Sequence, residues 1–284
     1  MKTALVLEGG ASRALFGVGV TDVLLQHKIV TDMIVGSSAG IANGISYAAG
    51  QSGRARDIAV RYSCDPRYMG ARHLFNRKNR SFYNISFVFD EIPNQLCPFD
   101  YESFSRSRCK AFACVTNMRT GKAEYLPVTA DDHRWRVIVA SCALPIMFEP
   151  VEIDGDPYMD GGIADSVPVD FALQAGCERV LCILTRERGY QKKEKDRMLN
   201  IASQFYRQYP VFAALLKERN LRYNQARAHL YALEAQGKIM IIEPSFTGRF
   251  KRTEKDPEKI AELYQQGVQI AQQKIEEIKK YLLC

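Results

Sequence analysis

No stretch of 18 uninterrupted apolar residues occurs anywhere in the 284-residue chain, so nothing in it has the length an α-helix needs to cross a bilayer. The apolar run near the start, Ala4-Leu5-Val6-Leu7, is too short for a secretory signal and reads as a first strand. Histidine is scarce. The four, His27, His73, His133 and His229, all lie away from any loop after a late core strand, where a Ser-His-Asp hydrolase of the α/β type keeps its base. The eight cysteines include no C-x-x-C pair and no Cys/His ligand spacing, which argues against a metal centre or a redox motif. Cys142, Cys177 and Cys182 sit among apolar neighbours and are expected to serve as small core residues. No metal and no cofactor is expected. The reading is of a soluble, cytoplasmic protein, with peripheral contact at the inner membrane surface left open.

No Pro/Gly/Ser-rich linker or low-complexity tract divides the chain, and at 46% hydrophobic residues it has ample material for a buried core. Residues 3–7 read as a strand, Phe16, Val20, Val23 and Leu24 as the apolar stripe of a helix, residues 31–35 as a second strand and 38–49 as a second helix. This β-α-β-α opening predicts an α/β fold with a parallel sheet covered by helices. Residues 111–117 and 123–127 read as strands around a turn, residues 132–142 as a helix broken by Pro145, and Asp154-Gly155-Asp156-Pro157 as the turn of a hairpin. Residues 180–184 read as another buried strand. Beyond Asp196 the texture changes to long helices interrupted by a strand at 239–242, the last helix capped by Asp256 and started by Pro257. The expected division is a core over 1–185 and a helical extension over 186–284, packed on the same domain.

Net charge is +7, and Arg67, Arg72, Arg77, Lys78 and Arg80 cluster among Tyr68, Phe75, Phe82 and Tyr83. Such a stretch suits anionic lipid or nucleic acid, although a solvated basic loop is the plainer reading of it.

Three segments carry chemistry. In the first, Gly36-Ser37-Ser38-Ala39-Gly40 follows an apolar strand and precedes a helix, the setting in which G-x-S-x-G becomes a nucleophile elbow that lifts the serine hydroxyl clear of the sheet. Ser38 is the candidate nucleophile. A serine alcohol needs a base and an oxyanion site. With no suitably placed histidine, Asp160 is the candidate base: it stands before Gly161-Gly162, where the backbone turns tightly, although an ordinary Asp-Gly turn explains the pattern as well. The third segment, residues 8–14 (Glu-Gly-Gly-Ala-Ser-Arg-Ala), lies at the first strand-to-helix junction, where backbone N–H groups and a helix N-terminus stabilise negative charge. A phosphate cradle is the rival reading, weakened because G-x-G-x-x-G is absent and no P-loop lysine follows.

Leu5 to Val20 (LVLEGGASRALFGVGV), Ile34 to Gly40 (IVGSSAG) and Ala140 to Gly162 (ASCALPIMFEPVEIDGDPYMDGG), in this order, resemble the patatin-like phospholipase family, over roughly residues 1–185. The hundred residues that follow resemble the helical extension of a bacterial branch. The resemblance implies a three-layer α/β/α fold with a mostly parallel central sheet and a Ser-Asp dyad. Ser38 matches the nucleophile and Asp160 the base. Gly9, Gly10 and Ala11 match the oxyanion loop and Arg13 its basic residue, with Gly36, Gly40, Gly161 and Gly162 supporting the site. The implied function is hydrolysis of carboxylic esters of lipids, phospholipid or lysophospholipid, through an acyl-enzyme. The implied partner is a lipid or acyl ester, not nucleic acid. Ala11 and Ala14 depart from the family's glycines; a methyl group at Ala11 is expected to exclude positive φ and narrow the approach to the substrate oxygen. A catalytically weak or regulatory protein that kept the fold, and a nucleotide-binding module, are the alternative classes.

Overall fold

A computed structural model of the chain describes residues 1–76, 80–194 and 196–283. β1 (Thr3–Leu7), α1 (Leu15–Gln26), β2 (Met33–Ser37) and α2 (Ala39–Ala48) form the opening β-α-β-α unit, with a 3-10 turn at Ala11–Ala14. α3 (Arg54–Tyr62), a π-helix at Phe87–Leu96 and α4 (Tyr101–Arg106) follow. The sheet then gains β3 (Lys110–Asn117) and β4 (Ala123–Pro127), and after α5 (Arg136–Cys142) the hairpin of β5 (Val151–Ile153) and β6 (Asp156–Asp160). α6 (Val169–Gln174), β7 (Arg179–Ile183), α7 (Arg197–Phe205), α8 (Pro210–Ala235), β8 (Ile239–Ile242) and α9 (Pro257–Leu283) complete the fold.

The strands join in one eight-stranded sheet of order β5-β6-β3-β2-β1-β7-β8, with β4 also paired to β3. β3, β2, β1, β7 and β8 run parallel, while β4 and β6 are antiparallel to β3. Every residue of β1, β2 and β8 is buried, as expected of strands covered on both faces. Their alternate side chains divide between two cores. Leu5, Leu7, Ile34, Leu181 and Ile183 pack with α1, α2 and α9; Ala4, Val6, Val35, Val180 and Cys182 pack with α6 and α8. The result is a three-layer α/β/α arrangement with a mostly parallel sheet.

β1 has β2 on one side and β7 on the other, so the chain leaves it in opposite directions across the sheet. A crevice at the carboxyl ends of the strands is the usual ligand site at such a switch point.

The helix expected over 132–142 begins only at Arg136. Trp135 takes φ 53° and is buried against Phe99 and Tyr101, at ring distances of 4.9 and 5.5 Å; burying this large ring outweighs the helical propensity of the residues before it. The hairpin at 154–155 forms with both turn residues at positive φ, 51° and 86°, the conformation of a type I′ turn.

The C-terminal segment supplies β8 to the sheet beside β7 and lays α9 along α1. Asp256 caps α9 by accepting from the Glu258 N–H at 3.0 Å. The two helices cross on glycines: a Cβ at Gly19 would collide with the Tyr264 carbonyl, and one at Gly267 with the Phe16 carbonyl.

Of the basic stretch, Arg77 and Lys78 lie outside the described residues. Arg67 is neutralised by Asp65 and Glu91 at 2.9 and 3.3 Å, and Phe75 is exposed. Among the described residues no helix is long and apolar enough to cross a membrane.

Candidate active site

The strand register sets the stage. Ser37 pairs with Cys114 across β2 and β3, and Val115 pairs with Asp160 across β3 and β6. Because β4 occupies the other edge of β3 over 112–116, β6 continues the edge along which β2 ends, and residues 38 and 160 come to neighbouring positions on the same side of β3. Both residues line one cavity of about 80 Å³.

Ser38 sits between β2 and α2 with φ 53° and ψ −132°, a strained conformation for a residue bearing a Cβ. The Ser38 N–H donates to Ser141 Oγ at 2.9 Å, and Ser141 Oγ donates to the Cys114 carbonyl at 2.7 Å. Ser141 is fully buried, so the elbow is held by a side chain from α5. Burial, with the Asp160 carboxylate adding to it, pushes the Cys142 thiol up, so it stays protonated beside the serine. Gly36 lies in β2, level with Leu7, and Gly40 in the first turn of α2, against the Leu7 and Glu8 carbonyls.

Asp160 ends β6 and is buried. Its backbone is pinned by Asp160 N–H to the Ala143 carbonyl at 2.8 Å and by Thr116 Oγ1 to its own carbonyl at 2.9 Å. Oδ1 accepts from the Gly162 N–H at 2.8 Å. Oδ2 is buried without a hydrogen-bond partner. Leaving such an acceptor unpaired costs about 1–3 kcal/mol, a cost that function explains better than packing does. Gly161 is required by close approach, since any Cβ there would overlap the Cys114 carbonyl.

Residues 9–11 lie over Ser38. A Cβ at Gly9 would stand 2.9 Å from the Ser37 carbonyl oxygen and 3.1 Å from Ser38 Cβ. Gly10 lies against Thr185 and begins the 3-10 turn, its carbonyl accepting from the Arg13 N–H at 3.2 Å. Among the described residues, none accepts a hydrogen bond from the N–H of Gly9, Gly10 or Ala11.

Contrary to expectation, Ala11 does not avoid positive φ: it adopts φ 49°. The loop thus keeps a glycine-like path, at a cost of about 1–2 kcal/mol for the alanine methyl. Ala11→Gly should relieve that strain while loosening the unfolded chain by about 0.4–1 kcal/mol, so urea unfolding should show a gain of up to about 1 kcal/mol. A loss of more than that amount would mean that the methyl is packed, not strained.

Ser38 also borders a second cavity, of about 160 Å³, lined mainly by apolar groups including Leu15, Met69, Phe89, Ile92, Trp135 and Phe148. Met69, Phe89 and Ile92 are described residues of the stretch 63–109, so that part of the chain lines this cavity. The polar cavity is lined in part by groups with no local sequence signature: Arg186 and Lys192 from the loop after β7, Arg219 from α8 and Arg252 from the loop before α9. Glu8 ties these parts together. It is buried and accepts from Tyr223 Oη at 2.6 Å and from the Thr185 N–H at 2.5 Å.

The histidines are elsewhere; His229, for example, pairs with Asp170 at 3.0 Å. Among the described residues no cluster of His, Cys, Asp and Glu is placed to hold a metal ion.

Comparison with known proteins agrees with this geometry in one respect and extends it in another. Residues 5–173 match the model of the patatin-like phospholipases, and residues 209–283 match a domain of unknown function (DUF6363). The uncharacterized protein YjjU of Escherichia coli is 27% identical over 190 residues, covering 65% of this chain and 52% of that protein. Lysophospholipase NTE1 of Meyerozyma guilliermondii is 29% identical over 191 residues, covering 63% of this chain and 12% of that protein. The chain thus spans about half or less of these relatives. The crystal structure of VipD from Legionella pneumophila aligns over 97% of this chain and 67% of its own, with a TM-score of 0.49 and 11% identity. Since the family match takes in more than half of its residues, the chain belongs to the patatin-like phospholipase family.

Proposed function

We propose that the chain is a serine acyl hydrolase that cleaves carboxylic esters of lipids, of phospholipase or lysophospholipase type, through a Ser38-Asp160 dyad. Ser38 Oγ attacks the ester carbonyl and forms a bond to carbon as Asp160 Oδ2 takes the hydroxyl proton. The N–H groups of Gly9, Gly10 and Ala11 hold the oxyanion. Collapse expels the alcohol, which recovers the proton, and leaves an acyl-serine. Water, deprotonated by Asp160, then releases the fatty acid and restores Ser38.

One observation carries this reading: a serine held at positive φ and an aspartate with an unpartnered buried oxygen converge on one cavity. The apolar cavity on the other side of Ser38 suits an acyl chain. The lysophospholipase relatives support the substrate class. A fluorophosphonate probe should label the wild-type chain at Ser38, identified by peptide mass, and Ser38→Ala should take up none. An unreactive Ser38 in folded protein would instead favour a regulatory protein that has kept the fold.

Peripheral contact with a lipid surface, on the cytoplasmic side, belongs to the same proposal. Met198, Ile201 and Phe205 repeat along one face of α7 and are 64, 54 and 61% exposed. Burying each in lipid is worth about 1.5–3 kcal/mol. Changing all three to Ser should lower liposome flotation at least tenfold, and unchanged flotation would remove this face from consideration.

A further inference from the structure

The polar cavity beside Ser38 is unbalanced in charge. Arg13, Arg186, Lys192, Arg219 and Arg252 line it, against the carboxylates of Glu8 and Asp160. Neither carboxylate is committed to a cation: Glu8 is held by Tyr223 Oη and the Thr185 N–H, and Asp160 Oδ1 by the Gly162 N–H. The cations rest on neutral groups. Arg219 Nε donates to the Gly162 carbonyl at 3.1 Å, and Arg186 Nη1 to Thr247 Oγ1 at 2.9 Å. Lys192 Nζ lies 3.4 Å from the centre of the Tyr223 ring, and Arg13 Nε is buried with no acceptor. Burial, followed by repulsion from Arg219, drives the Lys192 ammonium down to about 6. Burial and neighbouring arginines bring Arg13 and Arg219 down to about 10. Cations crowded in this way repel one another, and a doubly charged anion placed among them removes that repulsion.

Size and chemistry narrow the anion. At about 80 Å³ the cavity takes a compact group and excludes a nucleic-acid strand. Guanidinium forks match the oxygens of a tetrahedral phosphate. A quaternary ammonium, as in a choline headgroup, would meet the same cluster as a like charge. Because Ser38 borders both cavities, a ligand with its chain on the apolar side and its anion on the basic side has its ester at the serine.

We propose that the basic cavity is a phosphomonoester subsite, and that it seats the terminal phosphate of the acyl ester through Arg13, Lys192, Arg219 and Arg252. Two of these, Arg219 and Arg252, come from residues 209–283, so this C-terminal domain contributes headgroup recognition. The assignment of the phosphate to a substrate rests on Ser38 being the nucleophile, as proposed above.

The test compares three esters of one acyl chain below their micellar concentrations: a monoacylglycerol phosphate, its phosphocholine counterpart and the uncharged monoacylglycerol. The phosphomonoester should exceed the uncharged ester at least 30-fold in kcat/KM, and the phosphocholine ester should not share the advantage. Lys192→Gln and Arg252→Gln should each cut that ratio at least tenfold; Arg252 is an exposed residue, so its variant should fold normally. Arg249→Gln, which removes an equal charge from a surface pair with Glu262, should leave the ratio unchanged. Calorimetry of inorganic phosphate with Ser38→Ala at pH 8 should show binding that Arg252→Gln weakens, with proton uptake as Lys192 becomes charged beside the anion. A ratio near one without phosphate binding overturns the proposal. Phosphate binding with a ratio near one assigns the cavity to free phosphate and overturns its role in substrate selection. Phosphate binding without turnover of any ester leaves the anion subsite standing and removes the Ser38 hydrolase reading on which the substrate assignment rests.

Discussion

Ser38→Ala and Asp160→Asn should each reduce lipid ester turnover by at least about 10³-fold, with unfolding midpoints close to that of the parent chain. Removing an attacking serine costs serine hydrolases about 10⁶ in kcat, and 10³ already corresponds to about 4 kcal/mol of barrier. Alanine at 38 keeps the N–H that donates to Ser141 Oγ, so the elbow retains its anchor. Asparagine at 160 keeps a carbonyl oxygen for the Gly162 N–H but puts an amide where Oδ2 would take the proton. The two variants should differ in one respect. Asp160→Asn retains a nucleophile and should still react slowly with a fluorophosphonate; Ser38→Ala should not react at all. Parent-level turnover in either variant would end the dyad proposal.

Gly267→Leu should destabilise the whole chain by about 3 kcal/mol or more, since overpacking of a tight contact costs about 1–3 kcal/mol and exceeds this where backbone meets backbone. At Gly267 the obstacle is the Phe16 carbonyl, facing Gly19 and the Tyr264 carbonyl across the same crossing, and neither helix can yield without withdrawing from the sheet. The thermal midpoint should fall by roughly 6–12 °C. Gln273→Leu, on the exposed side of α9, should change stability by less than about 0.5 kcal/mol. The consequence for the site is indirect: Arg252 sits just before α9, and its carbonyl accepts from the Ser12 N–H at 3.1 Å, so undocking α9 should also loosen residues 9–13. A parent-like midpoint for Gly267→Leu would show that the two helices are not tightly coupled.

The parts of the architecture that were legible in the chain are those set by local pattern. Residues 4–7 and 33–35 are apolar throughout because both of their faces are covered. Asp154-Gly155 makes a hairpin because both residues tolerate positive φ. Asp256-Pro257 starts a helix because one caps and the other lacks an N–H to lose. Local pattern failed at 132–135, where Trp135 leaves the helical path to reach a pocket made by Phe99 and Tyr101, about 35 residues earlier. It failed at Ala11 as well: intrinsic preference disfavours φ 49°, but the loop is held by Glu8, which is fastened to Tyr223 on α8 and to Thr185 after β7.

What the sequence determined by itself was the α/β class, the family, and the choice of Ser38, Asp160 and residues 9–11 as the groups to inspect, because each lies in a short motif whose chemistry depends on neighbours in the chain. What only the tertiary structure decided was their company. The placement of residues 38 and 160 side by side along one edge of β3 follows from strand register, and the support of the elbow by Ser141 from the packing of α5. The five cations beside the serine come from four separate segments, and no local spacing links Arg13 to Arg219 or Arg252. Charges that are distant along the chain interact only once folding has brought them within a few ångströms and removed the water between them. The candidate nucleophile was therefore readable in one dimension, and the cluster of cations beside it was not.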